Sequence, residues 1–487
     1  MNRREILHLN DTQEILDEPT VALFSESLRG PLIQPGDPDY DDARAIYNGM
    51  IDKFPAFIVQ CADVADVMSC VNFARDNKIL TAVRGGGHNG PGLGTCDRGL
   101  VIDMSRLNGI RVDPKAQTAR VGAGCTWGDV DHATHPYGLA AVSGIMSTTG
   151  VAGLTLGGGH GYLTRKYGLS ADNLLSADVV LADGSIVTAS EDEHADLFWA
   201  LRGGGGNFGV VTSFEFQLHP VDHVQAGPML WDNTHAPELM RRYRDFLEDA
   251  AEELYAFFTF LQVPDSDPFP QALRLQRMCG LVWCCIGDEE QTRDAIAPLM
   301  ESLPEPAMDG MQTMSYPAVQ SMFDVFYPSG LQWYWKGAFI DELTDAAIAE
   351  HMKHGLNVPT PESTMHLYPI DGAVQAKAQD ETAFSYRNSR WSQVIVGVTD
   401  NPAQNHQMID WARDYYRAIE PYSAGGTYVN FMMEEGDKRL RASYRDNFDR
   451  LVDVKSTYDP GNLFRVNQNI KPRRAGRDGP SSKGRAA

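Results

Sequence analysis

The sequence predicts an α+β fold in two parts, and three observations lead to this prediction. Residues 51–124 follow the order strand, helix, strand and then hairpin, which differs from the regular alternation of a doubly wound sheet. Residues 138–220 contain four glycine clusters. After Pro220 these clusters stop, and long apolar strands alternate with amphipathic helices. A chain of 487 residues is long enough for both parts.

The first part follows an acidic lead at residues 1–50 that Gly and Pro interrupt. Its strands are short and apolar, and its first helix carries apolar side chains at helical spacing. Asp113 and Pro114 form the turn of its hairpin. In chain order, the expected elements are strand 57–60, helix 62–78, strands 81–83 and 100–104, and hairpin 109–124.

The second part is expected to have longer elements. They are a helix over 239–247, strands at 255–263 and 273–286, and helices at 289–302, 343–354 and 402–418. An amphipathic stretch at 437–455 follows. Residues 473–487 are small, polar and basic, which is typical of a disordered tail.

Charge and composition exclude several classes of function. With 65 acidic and 42 basic side chains, the net charge of −23 repels phosphate backbones and gives no attraction to anionic membranes. We therefore expect neither nucleic acid nor a membrane as a partner. No signal peptide or transmembrane segment is recognised, and the seven cysteines form neither a disulfide pattern nor a metal motif. A cytoplasmic location is expected.

The glycine clusters suggest a phosphate-bearing cofactor. Glycine allows a backbone to approach a ligand closely, and successive N–H groups form an anion-binding nest. Tight structural turns are the alternative explanation. The P-loop pattern is absent and the nicotinamide fingerprint is poor, so a flavin dinucleotide outside a Rossmann fold remains open.

His88 follows three glycines at the end of an expected strand and precedes Asn89 and Gly90. A histidine on such a bare loop can face a ligand, and its ring nitrogen can attack an electrophile. The alternative is a loop histidine that caps a turn.

Several motifs together carry a family resemblance. They are Arg84-Gly-Gly-Gly-His88, Val101-Ile-Asp-Met-Ser105, Gly138-Leu-Ala-Ala-Val-Ser-Gly144, Gly150-Val-Ala-Gly-Leu-Thr-Leu-Gly-Gly-Gly-His-Gly-Tyr162, Arg165-Lys-Tyr-Gly-Leu-Ser-Ala-Asp-Asn173, Asp196-Leu-Phe-Trp-Ala-Leu-Arg-Gly-Gly-Gly-Gly-Asn-Phe-Gly-Val-Val211, Tyr428-Val-Asn430, Asn447-Phe-Asp-Arg-Leu451 and Tyr458-Asp-Pro-Gly-Asn-Leu-Phe464. This set resembles the berberine-bridge-enzyme-like FAD-linked oxidases of the vanillyl-alcohol oxidase superfamily. The resemblance runs from about 50 to 472 and is weakest between 221 and 360.

The resemblance implies an architecture. It comprises a two-part FAD-binding domain at 51–222, a substrate domain at 223–425 with an antiparallel sheet covered by helices, and a segment at 426–472 that returns to the FAD domain.

The resemblance also implies a covalent histidyl link from His88 to the 8α-carbon of FAD. By position, the residues expected to contact FAD are Arg84, Gly85, Gly86, Gly87, His88, Asn89, Ser147, Thr148, Thr149, Gly150, Gly153, Gly157, Gly158, His160, Gly161, Asp172, Asn173, Asn207, Gly209 and Val210. Many members add a cysteinyl link at the position of Met146, which a thioether cannot form. A single link is therefore expected, as in the 6-hydroxynicotine-oxidase-like subgroup. Thr149 stands where the family limits oxygen access to the flavin, and its moderate size leaves oxygen reactivity open.

The implied reaction is hydride transfer from a small-molecule alcohol, sugar or amine to flavin N5, with O2 reduced to H2O2. Tyr428 is the first candidate base and Tyr386 the second, with Asn430 positioning substrate and Lys336 supplying a cation. Each tyrosine is alternatively a half-buried strand aromatic, and His160 a loop histidine without a proton-transfer role. The sequence around Lys336, Trp333-Tyr-Trp-Lys336, suggests an aromatic wall or a buried strand.

Two rival functions remain on the same scaffold. One is a dehydrogenase that uses an acceptor other than O2, and the other is a ligand-binding flavoprotein without turnover. The substrate and the oligomeric state are not predicted, because fold does not fix function.

Overall fold

The computed structural model describes residues 5–473. It confirms the α+β fold, with three larger sheets and helices packed around them. The tail expected at 473–487 lies outside the described residues, apart from its first residue. None of the helices in the described part has both the length and the apolar character needed to cross a membrane.

The first sheet has four strands and includes the expected strand–helix–strand unit. The helix of this unit is Val64–Asp76, which Asp63 caps by accepting a hydrogen bond from the main-chain N–H of Asp66. The central strands are parallel, as the crossover through a helix requires. In spatial order the strands are Leu32–Ile33, Phe57–Gln60, Leu100–Asp103 and Thr81–Arg84.

The second sheet has five antiparallel strands and contains the expected hairpin. In spatial order the strands are Ile186–Ser190, Leu174–Val180, Val210–Gln217, Thr118–Gly122 and Ile110–Asp113. One hydrophobic core joins this sheet to the first, and Leu440, Leu451 and Phe464 from the C-terminal segment pack into the same core. Two small two-stranded sheets pair Glu5–Leu7 with Gln13–Ile15 and Leu139–Ala140 with His219–Pro220.

The third sheet is antiparallel and has eight strands. Seven lie in the order Met308–Asp309, His223–Asp232, Arg277–Cys285, Leu254–Gln262, Thr364–Pro369, Trp391–Thr399 and Gln332–Ile340, and Gln312–Ser315 also pairs with His223–Asp232. Helices cover one face of this sheet, where Asn405–Ile419 packs on the last two strands. The opposite face of this sheet lines the cavity of the candidate active site.

The five helices predicted from the sequence are present, with ends within three residues of the predicted ones. The amphipathic stretch at 437–455 contains parts of two helices, and the remaining helices, two of them in the N-terminal lead, were not expected. The helices are Glu18–Glu26, Tyr40–Arg44, Val64–Asp76, Trp127–Thr134, Val151–Leu156, Thr164–Tyr167, Ala195–Leu201, Ala236–Phe246, Glu289–Met300, Tyr316–Gln320, Asp345–Gly355, Asn405–Ile419, Gly436–Tyr444 and Asn447–Tyr458.

Candidate active site

A cavity of about 320 Å³ lies between the glycine loops of the first part and the free face of the eight-stranded sheet. Glycines line one end. They are Gly85, Gly86, Gly87, Gly94, Gly144, Gly150, Gly153, Gly205, Gly206 and Gly209. Aromatic side chains line the other end. They are Tyr47, Phe323, Tyr327, Trp333, Trp335, Tyr368, Tyr428 and Phe431.

Two glycine loops touch directly beneath this cavity. A Cβ atom on Gly86 would lie 2.5 Å from the Cα of Gly150, and one on Gly150 would lie 2.4 Å from the main-chain nitrogen of Gly86. Arg84 anchors the first loop because its buried guanidinium donates to Asp103 at 2.8 Å and to the carbonyl of Ala43 at 2.6 Å. These contacts therefore hold the glycine backbone at this end of the cavity in place.

His88 lies at the boundary between the two ends of the cavity. Its imidazole stacks on the ring of Tyr47, with ring centroids 3.8 Å apart and an interplanar angle of 14°. Burial lowers the pKa of His88 to about 4, and a hydrogen bond to the main chain of Thr148 offsets this only in part. The imidazole is neutral at pH 7, so it retains a nitrogen lone pair.

The neighbouring Asn48 joins the glycine loop to the sheet. Its amide donates to the carbonyls of Gly90 and Trp333, at 2.7 and 3.1 Å, and its carbonyl accepts from the N–H of Trp333. Tyr47 donates its hydroxyl to the carbonyl of Tyr327 at 2.8 Å. The N-terminal lead therefore forms part of the cavity wall, which the sequence did not predict.

Strand alternation determines which side chains of the large sheet face the cavity. Trp333 and Trp335 line it, whereas Tyr334 packs into the core under the helices. On the adjoining strands Thr364, His366, Tyr368, Val394 and Val396 line the cavity. The register pairs Trp335 with Val396 and His366 with Val394, so these side chains form one continuous wall.

His366 and Tyr368 are hydrogen-bonded to each other within this wall, through His366 Nδ1 and the Tyr368 hydroxyl. Burial lowers the pKa of His366 to about 3 and raises the pKa of Tyr368 well above its usual value. Both side chains are therefore neutral near pH 7.

Tyr428 and Asn430 lie where the C-terminal segment meets the cavity. The Tyr428 oxygen accepts from the N–H of Gly159 at 2.9 Å and from the Asn430 amide at 2.7 Å. These donors lower the pKa of Tyr428, but burial has the larger effect and raises it. Sequence reasoning required a lowered pKa for Tyr428 to act as a base, and the free site does not meet that condition.

His160 also lines the cavity, 4.7 Å from Tyr428 between ring centroids. Its Nε2 is hydrogen-bonded to the Ser392 hydroxyl at 3.1 Å, and burial lowers its pKa to about 3. The His160 ring is therefore neutral near pH 7.

The structure brings eleven of the twenty predicted FAD-contacting residues to the cavity. They are Arg84, Gly85, Gly86, Gly87, His88, Asn89, Thr149, Gly150, Gly153, His160 and Gly209. The other nine do not line it. They are Ser147, Thr148, Gly157, Gly158, Gly161, Asp172, Asn173, Asn207 and Val210.

Several of these nine have structural contacts that explain their positions. Asp172 holds the buried guanidinium of Arg387 through two bonds of 2.6 and 2.7 Å. Asn173 donates to the carbonyls of nearby residues, and Asn207 donates to Gly204 and Gln468 in the same way. Motif membership therefore does not distinguish a ligand contact from a loop-fixing bond.

The structure places Tyr386 and Lys336 away from the cavity. The Tyr386 hydroxyl donates to the carbonyl of Ala442 at 2.8 Å, and this side chain does not line the cavity. Lys336 lies one residue beyond Trp335 and therefore points to the opposite face of the strand. There its ammonium pairs with Glu435 at 3.1 Å, largely shielded from solvent.

Sequence reasoning missed Tyr47, His366 and Tyr368. His366 and Tyr368 are two residues apart on one strand, and this period-2 spacing was the available signal. Tyr47 had no local signal, because it reaches the cavity only through the fold of the lead.

The residues present fit a flavin dinucleotide. A flat ring system and a diphosphate require small side chains and free N–H donors, which the glycine end supplies. A Cβ atom on Gly153 would meet nothing within 4 Å, although this residue is helical, so the space beside it belongs to the cavity. The Tyr444 hydroxyl lines the same end and has no hydrogen-bond partner within the described residues.

Comparisons with known proteins agree with this fit. Residues 55–190 match a family described as FAD binding domain, and residues 427–471 match one described as berberine and berberine like. An FAD-linked oxidoreductase of Dictyostelium discoideum is 30% identical over 454 residues, covering 92% of this chain and 96% of the relative.

Two comparisons point to the same group of oxidases. The (R)-6-hydroxynicotine oxidase of Paenarthrobacter nicotinovorans is 30% identical over 465 residues, covering 92% of this chain and 97% of the relative. The crystal structure of 6-hydroxy-D-nicotine oxidase from Arthrobacter nicotinovorans matches with a TM-score of 0.81 and 28% identity, covering 94% and 100% of the two chains. The chain is therefore an enzyme that belongs to the berberine-bridge-enzyme-like family of FAD-linked oxidoreductases.

Proposed function

We propose that this protein is an FAD-dependent oxidase that carries FAD covalently on His88 and oxidises a small-molecule alcohol, sugar or amine. The observation that carries the proposal is the neutral imidazole of His88, held on a bare glycine loop at the edge of the cavity. A neutral ring nitrogen is the form that can act as a nucleophile.

His88 would hold the cofactor through one bond from a ring nitrogen to the 8α-carbon. Forming this bond removes one hydrogen from the imidazole and one from the 8α-methyl group, and O2 takes up the two electrons and two protons as H2O2. Stacking on Tyr47 orients the imidazole for this attachment. Met146 lines the cavity at the position of the second link, and no cysteine lines the described cavity, which supports a single link.

When bound, FAD supplies the redox chemistry by taking a hydride from the substrate at N5 and passing the electrons to O2 as H2O2. The protein's part is to bind the substrate, exclude water and hold protons in place. Trp335 and Phe431 contribute aromatic rings to the wall against which the substrate would pack. Tyr428 accepts two hydrogen bonds and retains its own proton in the free site.

Among the substrates, the 30%-identical relative named (R)-6-hydroxynicotine oxidase favours an amine over a sugar. Thr149 lines the cavity, so a side chain of moderate size stands beside the cofactor space, which is compatible with O2 access. An acceptor other than O2 is the alternative that the second measurement below tests.

The first measurement is acid precipitation of the purified protein, followed by absorption spectra of pellet and supernatant. We expect yellow colour to stay with the wild-type pellet and to leave the His88→Ala pellet. His366→Gln is the matched control, since it changes another histidine of the same cavity and should keep its colour. A wild-type pellet that loses its flavin would refute covalent attachment.

The second measurement needs no substrate. The holoenzyme is photoreduced without oxygen and then mixed with air-saturated buffer. An oxidase regains its flavin absorbance within seconds and releases one H2O2 per flavin. Reoxidation over many minutes would instead indicate a dehydrogenase.

A further inference from the structure

The substrate end of the cavity carries no ionised side chain among the described residues. Arg84 is the one charged residue that lines the cavity, and its guanidinium is held by Asp103 and by the carbonyl of Ala43 at the glycine end. A charged substrate group at the aromatic end would therefore lose its hydration without gaining a counter-ion, which is strongly unfavourable.

Most polar atoms of the aromatic end are already bonded to protein. The hydroxyls of Tyr47 and Tyr327 donate to main-chain carbonyls, and that of Thr364 donates to the carbonyl of Phe260. The indole N–H groups of Trp333 and Trp335 are buried within the wall and do not reach the cavity surface. The wall therefore presents aromatic rings to a substrate and few polar groups that could form hydrogen bonds with it.

The polar side chains next to the C-terminal segment are also hydrogen-bonded to protein groups. Asn430 donates to Tyr428 and to the carbonyl of Leu154, and His160 bonds to Ser392. A sugar would bury several hydroxyls against this surface, and each would lack a partner.

Among the side chains of the sheet, His366 is the exception. Its Nδ1 bonds to the Tyr368 hydroxyl, while its Nε2 has no hydrogen-bond partner within the described residues. Because the Tyr368 hydroxyl has no other acceptor within the described residues, we assign the tautomer in which it donates to Nδ1 and the neutral imidazole carries its proton on Nε2. The ring of Phe257 packs 4.8 Å from the imidazole and limits its rotation.

From this geometry we propose that the substrate is an uncharged aromatic molecule that accepts one hydrogen bond from His366 Nε2 through a ring nitrogen, a carbonyl or a hydroxyl oxygen. The rings around Trp335 and Tyr368 provide stacking and edge contacts for such a molecule. Tyr368 is a positioning residue, because it sets the tautomer of His366. This inference rests on the proposed function, in that it takes the cavity as the substrate site.

Isothermal titration calorimetry on the holoenzyme tests the inference without turnover. The probes are acetophenone, which has a ring and a carbonyl acceptor, ethylbenzene, which lacks the acceptor, benzoate, which is charged, and glucose. We expect acetophenone to bind about tenfold more tightly than ethylbenzene, the effect of one hydrogen bond made in a desolvated site. Benzoate and glucose are expected not to bind.

Variants identify the donor. His366→Leu should remove the difference between acetophenone and ethylbenzene while leaving ethylbenzene affinity within about twofold. His366→Gln keeps an N–H donor and should restore part of the difference. In Tyr368→Phe the proton of His366 is no longer fixed on Nε2, so the difference between acetophenone and ethylbenzene should become smaller. An unchanged circular dichroism spectrum would confirm that each variant folds.

Glucose or benzoate binding more tightly than acetophenone would overturn the inference. No acetophenone binding up to its solubility limit would do the same, as would an unchanged preference in His366→Leu. Acid precipitation separates this result from the proposed function. A protein that keeps its colour but prefers glucose contradicts only the substrate class, whereas one that binds acetophenone but loses its colour contradicts only the covalent link.

Discussion

Gly153 allows the cofactor space to be tested separately from the stability of the fold. It is the third residue of helix Val151–Leu156, and a Cβ atom there would meet no protein atom within 4 Å. Glycine inside a helix costs about 0.5–1 kcal/mol relative to alanine, and leucine is nearly as good a helix former as alanine. Gly153→Leu should therefore stabilise the flavin-free protein by about this amount, although its side chain projects into the cavity.

In the presence of the cofactor, Gly153→Leu should be unfavourable instead of stabilising, because its side chain competes with the cofactor for space. Packing a four-carbon side chain into occupied space typically costs about 1–3 kcal/mol, which is roughly a 5- to 160-fold loss of flavin affinity. The assay uses the His88→Ala background, in which flavin is held without a covalent bond. Flavin titration measures affinity, and the thermal midpoint of the flavin-free form should rise by roughly 1–4 °C.

Gly109→Leu is the matched control for Gly153→Leu. Its Cβ atom would also meet nothing within 4 Å, but Gly109 is exposed and does not line the cavity. Flavin affinity should be unchanged in this variant. If Gly153→Leu binds flavin as well as its parent does, the cofactor does not lie beside this helix and the assignment of the glycine end is wrong.

Three further outcomes are expected, each measured as a thermal midpoint. Arg387→Met leaves the buried Asp172 carboxylate without its cation and should cost about 3–5 kcal/mol, whereas replacing both residues by apolar ones should cost less. Burial raises the pKa of Asp131 from 3.8 to about 8, so its unfavourable effect on folding grows as pH rises from about 4 to 8, and Asp131→Asn should stabilise the protein more at pH 8 than at pH 5. Burial lowers the pKa of His351 from 6.5 to about 3, so stability is full above pH 6.5 and falls as pH drops toward 3, and His351→Gln should flatten that acid-side slope.

The fold could be predicted well wherever local pattern and tertiary role agree. The strand Phe57–Gln60 was expected with its observed bounds and the helix Val64–Asp76 to within two residues at each end, because their apolar spacing matches the face that they bury. The lead at 1–50 was less predictable. Its helix Tyr40–Arg44 has only five residues, and such a short helix depends on tertiary packing more than on its own sequence.

The cofactor end of the site could be predicted because its chemistry lies within short stretches of chain. Residues 85–89 form one loop directly after the strand that ends at Arg84, and one continuous motif includes both Gly150 and Gly153. Other residues that were predicted from these motifs do not line the cavity. Asp172 belongs to the motif at 165–173, yet its carboxylate holds Arg387, 215 residues away in the chain. Sequence spacing cannot distinguish these roles, since both need a polar residue at a tight loop.

The substrate end could not be predicted because it is created by pairing between distant strands. His366 and Val394 are aligned across the sheet, and Trp335 and Val396 beside them. A one-residue shift in register would exchange Trp335 for Lys336 and replace a ring with a cation in the cavity wall. Specificity in this protein therefore depends on register, whereas cofactor binding depends on loop motifs. Members of the family can share the loop motifs that bind the cofactor and differ in the strand register that shapes the substrate end. The geometry of His366 is therefore a better guide to the substrate than the family resemblance is.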